Sequence, residues 1–560
     1  MNDNRKILKG PAPWRAHLLF LLILFLLAPV NLISNLPHLS THIPGDVMDT
    51  AEYPLNEWWT AHALLDLRTN PFNNTYMFYP LGLNMVQHTY TFWDGFLYTL
   101  VRPFIPLILF HNLLIWTTFF LNALAAYWLI FSVTRTAGLA FLGALAFGHC
   151  PALLSYYKTA SLLEVYGLVF FITTSITLFE KRRLRSAILA GFFWGLTLYH
   201  YPYYFIFGGW WLLILLSYQV LPWRLESRTN LETWGSVLVE NLFRFFLLVL
   251  ILFPVFAPRR LWELMVSIHL VNWVTPLGII LCLLTIRTIF RIRGSGNNFH
   301  PTSSPPEEPG GKERGKNQKL IPFKTDWALW RKAWPVRWNP IPLGHLFSFL
   351  ALSLIVVAVA ALIGFPYFQA YVKEEATRLA VGSLPSEFSV YSVDLVSFFA
   401  PFNARLEGLR KIMSGDWKTG RTIIGTPAFL GYGFMVILFF GMGKFFKRPE
   451  LRLWLTAWGF FSILSLGPYL KIHGLVYDSL PLPAYLIRFL PIIESGRTLS
   501  RYLAPAMLFL CLSICLILKP FYEKLSPWKK KIFLTLMLLL TGFEYGLFPK
   551  PWPLHFTDYR

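Results

Sequence analysis

Three carboxylates, Asp46, Asp49 and Glu52, stand within seven residues of one another just after the first long apolar run of a 560-residue chain. Charge beside lipid is costly and calls for a reason. Asp46 and Asp49 are spaced i, i+3, which puts both on one side wherever the turn is helical. Such a pair can share a divalent cation, or leave one carboxylate free to take a proton from a hydroxyl. The spacing suits an ordinary helix start equally well, because acidic residues meet free N–H groups there. Arg497 and Arg501, four apart, share one helical face. Two guanidinium groups so placed can fork onto a phosphate and stabilise charge on a leaving group; snorkelling to headgroups explains them as readily.

The elements that must position these groups are membrane helices. Hydrophobic residues make up 55% of the chain and arrive in long blocks rather than amphipathic stripes, so the expected fold is an all-α polytopic membrane protein. Blocks of roughly 17 to 25 residues give about thirteen transmembrane helices, near 17–35, 106–131, 138–154, 163–180, 186–201, 203–220, 241–258, 264–288, 346–365, 426–444, 452–469, 502–519 and 531–548. The formal charge of +21 does not make a nucleic-acid face, because the basic residues sit between apolar blocks where they orient helices. Arg135, the KRRLR run at 181–185, and the groups from Lys444 to Arg452 and Lys524 to Lys531 all fall on one side if the N-terminus is cytoplasmic. The loop 366–424 is basic on the opposite side, which its length and its own acidic residues allow. That orientation makes the first run a retained anchor in the cell membrane. Cys150, Cys282, Cys511 and Cys515 show no metal-ligand spacing and no disulfide framework.

Residues 1–288 form an expected N-terminal transmembrane module with a first outer loop at 36–105, and residues 344–560 a C-terminal module. Between them, 289–343 is rich in Pro, Gly, Ser and charge and reads as a cytoplasmic, partly disordered linker. Its second half, DWALWRKAWPVRW, interleaves Trp with Lys and Arg as an interfacial helix does. In the first loop, Trp58, Trp59, Ala63, Leu64 and Leu67 give NEWWTAHALLDL one apolar face, the pattern of an amphipathic helix lying flat on the membrane.

The run GDVMDTAEYPLNEWW, then NPFNNTYMFYPLGLNMVQHT, then SVDLVSFFAPF at 392–402, LGPYLKIHG at 466–474 and LPLPAYLIRFLPIIESGRTLSRY at 480–502 resembles bacterial members of the GT-C glycosyltransferase superfamily. These are integral-membrane relatives of oligosaccharyltransferases, protein O-mannosyltransferases and aminoarabinose transferases. The resemblance spans most of the chain except the linker. It implies a GT-C-like fold and inverting transfer of a sugar from a polyprenyl-phosphate donor to a glycan, lipid or protein acceptor at the outer face. It also implies a catalytic Asp46 and a Mg, Mn or Zn ion held by Asp49 and Glu164; the phosphate that Arg497 and Arg501 can fork onto is then the donor's. Glu164 also suits an N-terminal dipole partner, and His149, the other candidate in that second outer loop, an ordinary hydrogen-bonded helix end. Tyr79, His88 and His200 offer sugar contacts and fit an interfacial aromatic belt equally. This chain departs from many members in having no large soluble C-terminal domain. Two other readings fit the sequence: a transporter or flippase for lipid-linked saccharides, and a catalytically silent GT-C-like scaffold.

Overall fold

The computed structural model describes residues 13–28, 30, 36–45, 50–87, 90–220, 343–375, 389, 391–401, 427–445, 449–472, 474–487, 498–546 and 556–558. Asp46, Asp49, His88, Arg497 and Cys282 lie outside these residues, as do the linker and the expected helices at 241–258 and 264–288. Almost all described residues belong to one compact unit, 1–215 with 347–560.

That unit is mostly helical. Its helices are α1 (Pro13–Leu27), α2 (Glu52–Ala61), α3 (Phe92–Val101), α4 (Leu107–Thr134), α5 (Ala137–Gly148), α6 (Tyr166–Lys181), α7 (Leu184–His200), α8 (Pro202–Val220), α9 (Leu343–Glu375), α10 (Tyr432–Phe445), α11 (Pro449–Ser465), α12 (Leu503–Lys524) and α13 (Pro527–Glu544). Among the described residues, five helical stretches are long and apolar enough to cross a membrane: Leu107–Thr134, Ala137–Leu154, Ala160–Lys181, Ala351–Val372 and Leu499–Lys524. Shorter apolar helices lie at Trp14–Leu27, Pro202–Leu216, Tyr432–Gly441 and Leu451–Ser465. The chain is a polytopic helical membrane protein.

Two helices show how one composition meets two environments. From Leu503 to Leu518 every residue of α12 is buried, as an all-round apolar helix must be when protein surrounds it. The equally apolar window of α9 is only 22% buried, with Leu354, Val357, Leu362 and Phe365 exposed, which is the surface lipid wets. Gly191 and Gly195, four apart on α7, admit α9: a Cβ at either would press on Val359 or Ile363. Helix α9 runs ten residues beyond the expected end at 365, through Pro366.

Gly138 rests against Tyr522 and Leu534, which brings the α4–α5 and α12–α13 turns together at a basic end of the unit. The first loop and the segment 149–164 lie at the other end. Here the fold is not purely helical. Three two-stranded antiparallel ladders pair β1 (His42–Pro44) with β6 (Phe556–Asp558), β2 (Asn73–Asn74) with β3 (Leu83–Asn84), and β4 (Tyr469–Ile472) with β5 (Leu475–Pro481).

Helix α2 differs from the expected flat amphipathic helix. Seven of its ten residues are buried, including Asn56, Glu57 and Thr60, so its polar face is packed inside while Leu65 and Leu67 beyond it are exposed. The reason is α3, which closes over that face. Gly95 of α3 meets Thr60, and the Thr60 hydroxyl bonds Tyr90 at 2.8 Å and the Asn56 carbonyl at 2.8 Å. A Cβ at position 95 would fall on the Thr60 side chain. Gly95→Ala is therefore expected to cost about 1–3 kcal/mol by overpacking, read as a lowered unfolding midpoint in detergent.

Candidate functional site

Strand β1 delivers the chain to Gly45, whose φ of +122° suits only glycine. Gly45 and Thr50, which flank Asp46 and Asp49 in the sequence, lie against each other, and Gly45 also lies against the Lys158 side chain. In the first turn of α2, the Tyr53 hydroxyl meets Ser161 Oγ at 3.2 Å. The first loop is thereby joined to the segment that leads to Glu164. Burial pushes the Tyr53 phenol up, with the Ser161 hydroxyl and the Arg501 charge pulling the other way.

Arg501 arrives from the start of α12. Its guanidinium sits 4.9 Å from the ring centroids of both Tyr201 and Tyr203, which stack on each other with centroids 5.1 Å apart. Tyr53 and Tyr156 are within its electrostatic reach. Its Nε is buried without a hydrogen-bond partner, and no described carboxylate pairs with it. A half-buried cation set against aromatic faces, with no described carboxylate beside it, lacks the anion that commonly compensates such a charge. The arrangement can receive one.

A second group of ionisable side chains lies in the same region. Glu57 Oε1 is 2.7 Å from His111 Nδ1, with 0% and 1% of the side chains exposed. Burial pushes the Glu57 carboxyl up while His111 draws it back. Asp94 and Glu164 face each other, both fully buried, and none of their four carboxyl oxygens has a hydrogen-bond partner of ordinary geometry. Burial is the main cause that pushes the Asp94 carboxyl up. Carboxyls so close in a dry interior cannot both ionise freely, so the pair can hold a shared proton or a cation. Among the described residues, however, no three His, Cys, Asp or Glu side chains are grouped to hold a metal. Glu57, Asp94 and His111 were not among the residues singled out from sequence. Their signal was available: Asp94 in TFWDGFLY and His111 in LFHNLLIW are lone ionisable residues in apolar surroundings.

The remaining candidates occupy other settings. His149 directs Nδ1 at the Leu145 carbonyl and Nε2 at the Leu27 carbonyl, at 3.2 and 3.1 Å, so both ring nitrogens are engaged by backbone. His200 is buried with Nε2 at 3.2 Å from the Tyr166 hydroxyl. Tyr79 stands 84% exposed at the tip of the β2–β3 hairpin. Of the candidates from sequence, the described residues bring Glu164 and Arg501 to the same end as Gly45 and Thr50.

Neither protein-family models nor curated protein sequences match the chain. Among solved structures, it is similar to the oligosaccharyltransferase AglB from the archaeon Archaeoglobus fulgidus, in complex with an inhibitory peptide and a dolichol-phosphate. That alignment has 14% identity and a TM-score of 0.43 and covers 94% of this chain and 55% of that one. The apo form of the Archaeoglobus fulgidus oligosaccharyltransferase aligns at 12% identity and a TM-score of 0.41, with the same coverage. The chain spans about half the length of these structures.

Proposed function

We propose that this protein is a membrane glycosyltransferase that moves a sugar from a polyprenyl-phosphate donor to an acceptor hydroxyl at the outer face. The observation that carries the reading is Arg501, half-buried with its Nε unpartnered and no described carboxylate paired with it, near Tyr53, seven residues from Asp46. The donor phosphate supplies the missing anion, with Arg497 as the second fork. Asp46 takes the proton as the acceptor oxygen attacks the anomeric carbon. The bond from that carbon to the phosphate oxygen breaks, the configuration inverts, and polyprenyl phosphate leaves against Arg501.

Glu164, whose carboxyl oxygens face Asp94 with no partner of ordinary geometry, would hold a divalent cation together with Asp49. Such an ion would supply further neutralisation of the leaving phosphate. Glu57–His111 and the facing Asp94 and Glu164 give a second reading its own footing, because buried ionisable pairs are what a carrier of lipid-linked saccharides would use.

Asp46→Asn decides between them. In purified, reconstituted protein it is expected to lower release of polyprenyl phosphate from a lipid-linked sugar by about 100-fold or more, the range general-base catalysis contributes. Unchanged release in the variant removes Asp46 from this role. Passage of a fluorescent lipid-linked sugar across the vesicle without any release, in the unsubstituted protein, assigns the carrier instead.

A further inference from the structure

We propose that the tip of the β2–β3 hairpin, residues 76–81, is seated in the lipid leaflet at the first-loop end of the unit and anchors that loop to the membrane. From Thr69 to Trp93 the sequence contains no Asp, Glu, Lys or Arg. Within that stretch the tip presents its largest apolar side chains outward: Phe78 is 69%, Tyr79 84% and Leu81 92% exposed. Isolated exposed apolar residues are ordinary, but three together on one rigid turn form a patch.

The turn is built to leave water. Asn74 Oδ1 accepts from the Tyr76 and Met77 N–H groups at 2.9 and 3.1 Å, and the Phe78 carbonyl accepts from the Leu81 and Gly82 N–H groups at 2.9 and 3.2 Å. Four backbone donors of the tip are thus satisfied within the hairpin, which is what non-helical backbone needs near lipid. Phe78 adopts a φ of +54°, uncommon for a bulky residue, so the outward display is held against local preference.

The hairpin base fixes the height of the tip. Asn84 Nδ2 donates to the Ala370 carbonyl at 3.2 Å, and the Tyr367 hydroxyl donates to the Val86 carbonyl at 3.2 Å. Both partners are on the last turns of the apolar window of α9, the helix whose surface is mostly exposed, and Val372 beside them is 65% exposed. The lipid-facing surface of α9 therefore continues onto the hairpin at the level where a span meets the headgroups. Tyrosine, phenylalanine, proline and leucine without charge are the composition of that level. This continuity favours lipid over a protein partner.

The test uses full-length protein in phosphatidylcholine vesicles, with Cys282→Ser as background, because Cys150, Cys511 and Cys515 are buried. An environment-sensitive fluorophore is attached at Tyr79→Cys and, as a reference, at exposed Thr69→Cys. The label at 79 is expected to emit to the blue of that at 69, to lose quenching by aqueous iodide and to gain quenching by nitroxide on the upper acyl chain. Iodide quenching equal to that at 69, with no nitroxide effect, overturns the proposal. Protection from iodide that disappears on dilution of protein in the vesicle also overturns it, since a second copy would then be the occupant. If Tyr79→Cys elutes as aggregate, Leu81→Cys gives the same reading.

Discussion

Arg501→Lys is expected to lower donor turnover by about 100-fold or more, comparable to removal of one preorganised donor from a site of charge development. Lysine keeps the charge but loses the planar fork and the stacking, so the variant separates recognition of phosphate from mere positive potential. The two tyrosine rings at 4.9 Å fix the guanidinium plane, and a point charge on a flexible stem is not fixed by them. Initial rates at varied donor concentration check the expectation. A fall in kcat alongside kcat/KM means the contact strengthens as the phosphate leaves, whereas a rise in KM alone means that Arg501 only binds. An unshifted unfolding midpoint shows that the loss is not a failure to fold.

Glu57→Leu should be the most destabilising single change in the first loop. It leaves His111 buried with neither ring nitrogen partnered, since His111 Nε2 has no hydrogen bond even in the intact protein. Breaking a buried pair from one side costs about 3–5 kcal/mol, and replacing both members by apolar residues is often neutral. Denaturant titration in detergent should therefore find Glu57→Leu strongly destabilised and Glu57→Leu/His111→Leu restored toward the parent. Equal loss in the single and double variants would mean that the pair does not act as a unit. The intact protein also carries a pH signature. Because burial holds the Glu57 carboxyl above its ordinary value, the folded state keeps that proton to higher pH than the unfolded chain. The contribution of Glu57 to stability is thus full at low pH and is lost as pH rises through its folded value.

Helices were the legible part of this chain. Apolar blocks near 106–131, 186–201 and 502–519 became α4, α7 and α12, because uninterrupted hydrophobic runs have few other ways to satisfy their backbone near lipid. Helix α9 runs ten residues past the apolar block that ends at 365, because tertiary packing of Tyr367 and Ala370 carries the helix past Pro366. The burial of α2 was not legible, because its helical pattern records an apolar face but not that α3 would cover the polar one. For the same reason the pairing of Glu57 with His111, 54 residues away, left no trace in periodicity. Arg501 could be read as a phosphate fork or a snorkelling side chain from its spacing. Its place against the stacked rings of Tyr201 and Tyr203 is a tertiary contact that spacing does not record.

The ladder between β1 and β6 joins His42 to Asp558 and Pro44 to Phe556, directly before Gly45. A ribosome makes residues 556–558 only after α1 to α13, so β1 waits for its partner until all of these helices have been made. A nascent polypeptide stalled before residue 556 would carry β1, and the acidic segment that follows it, unsecured.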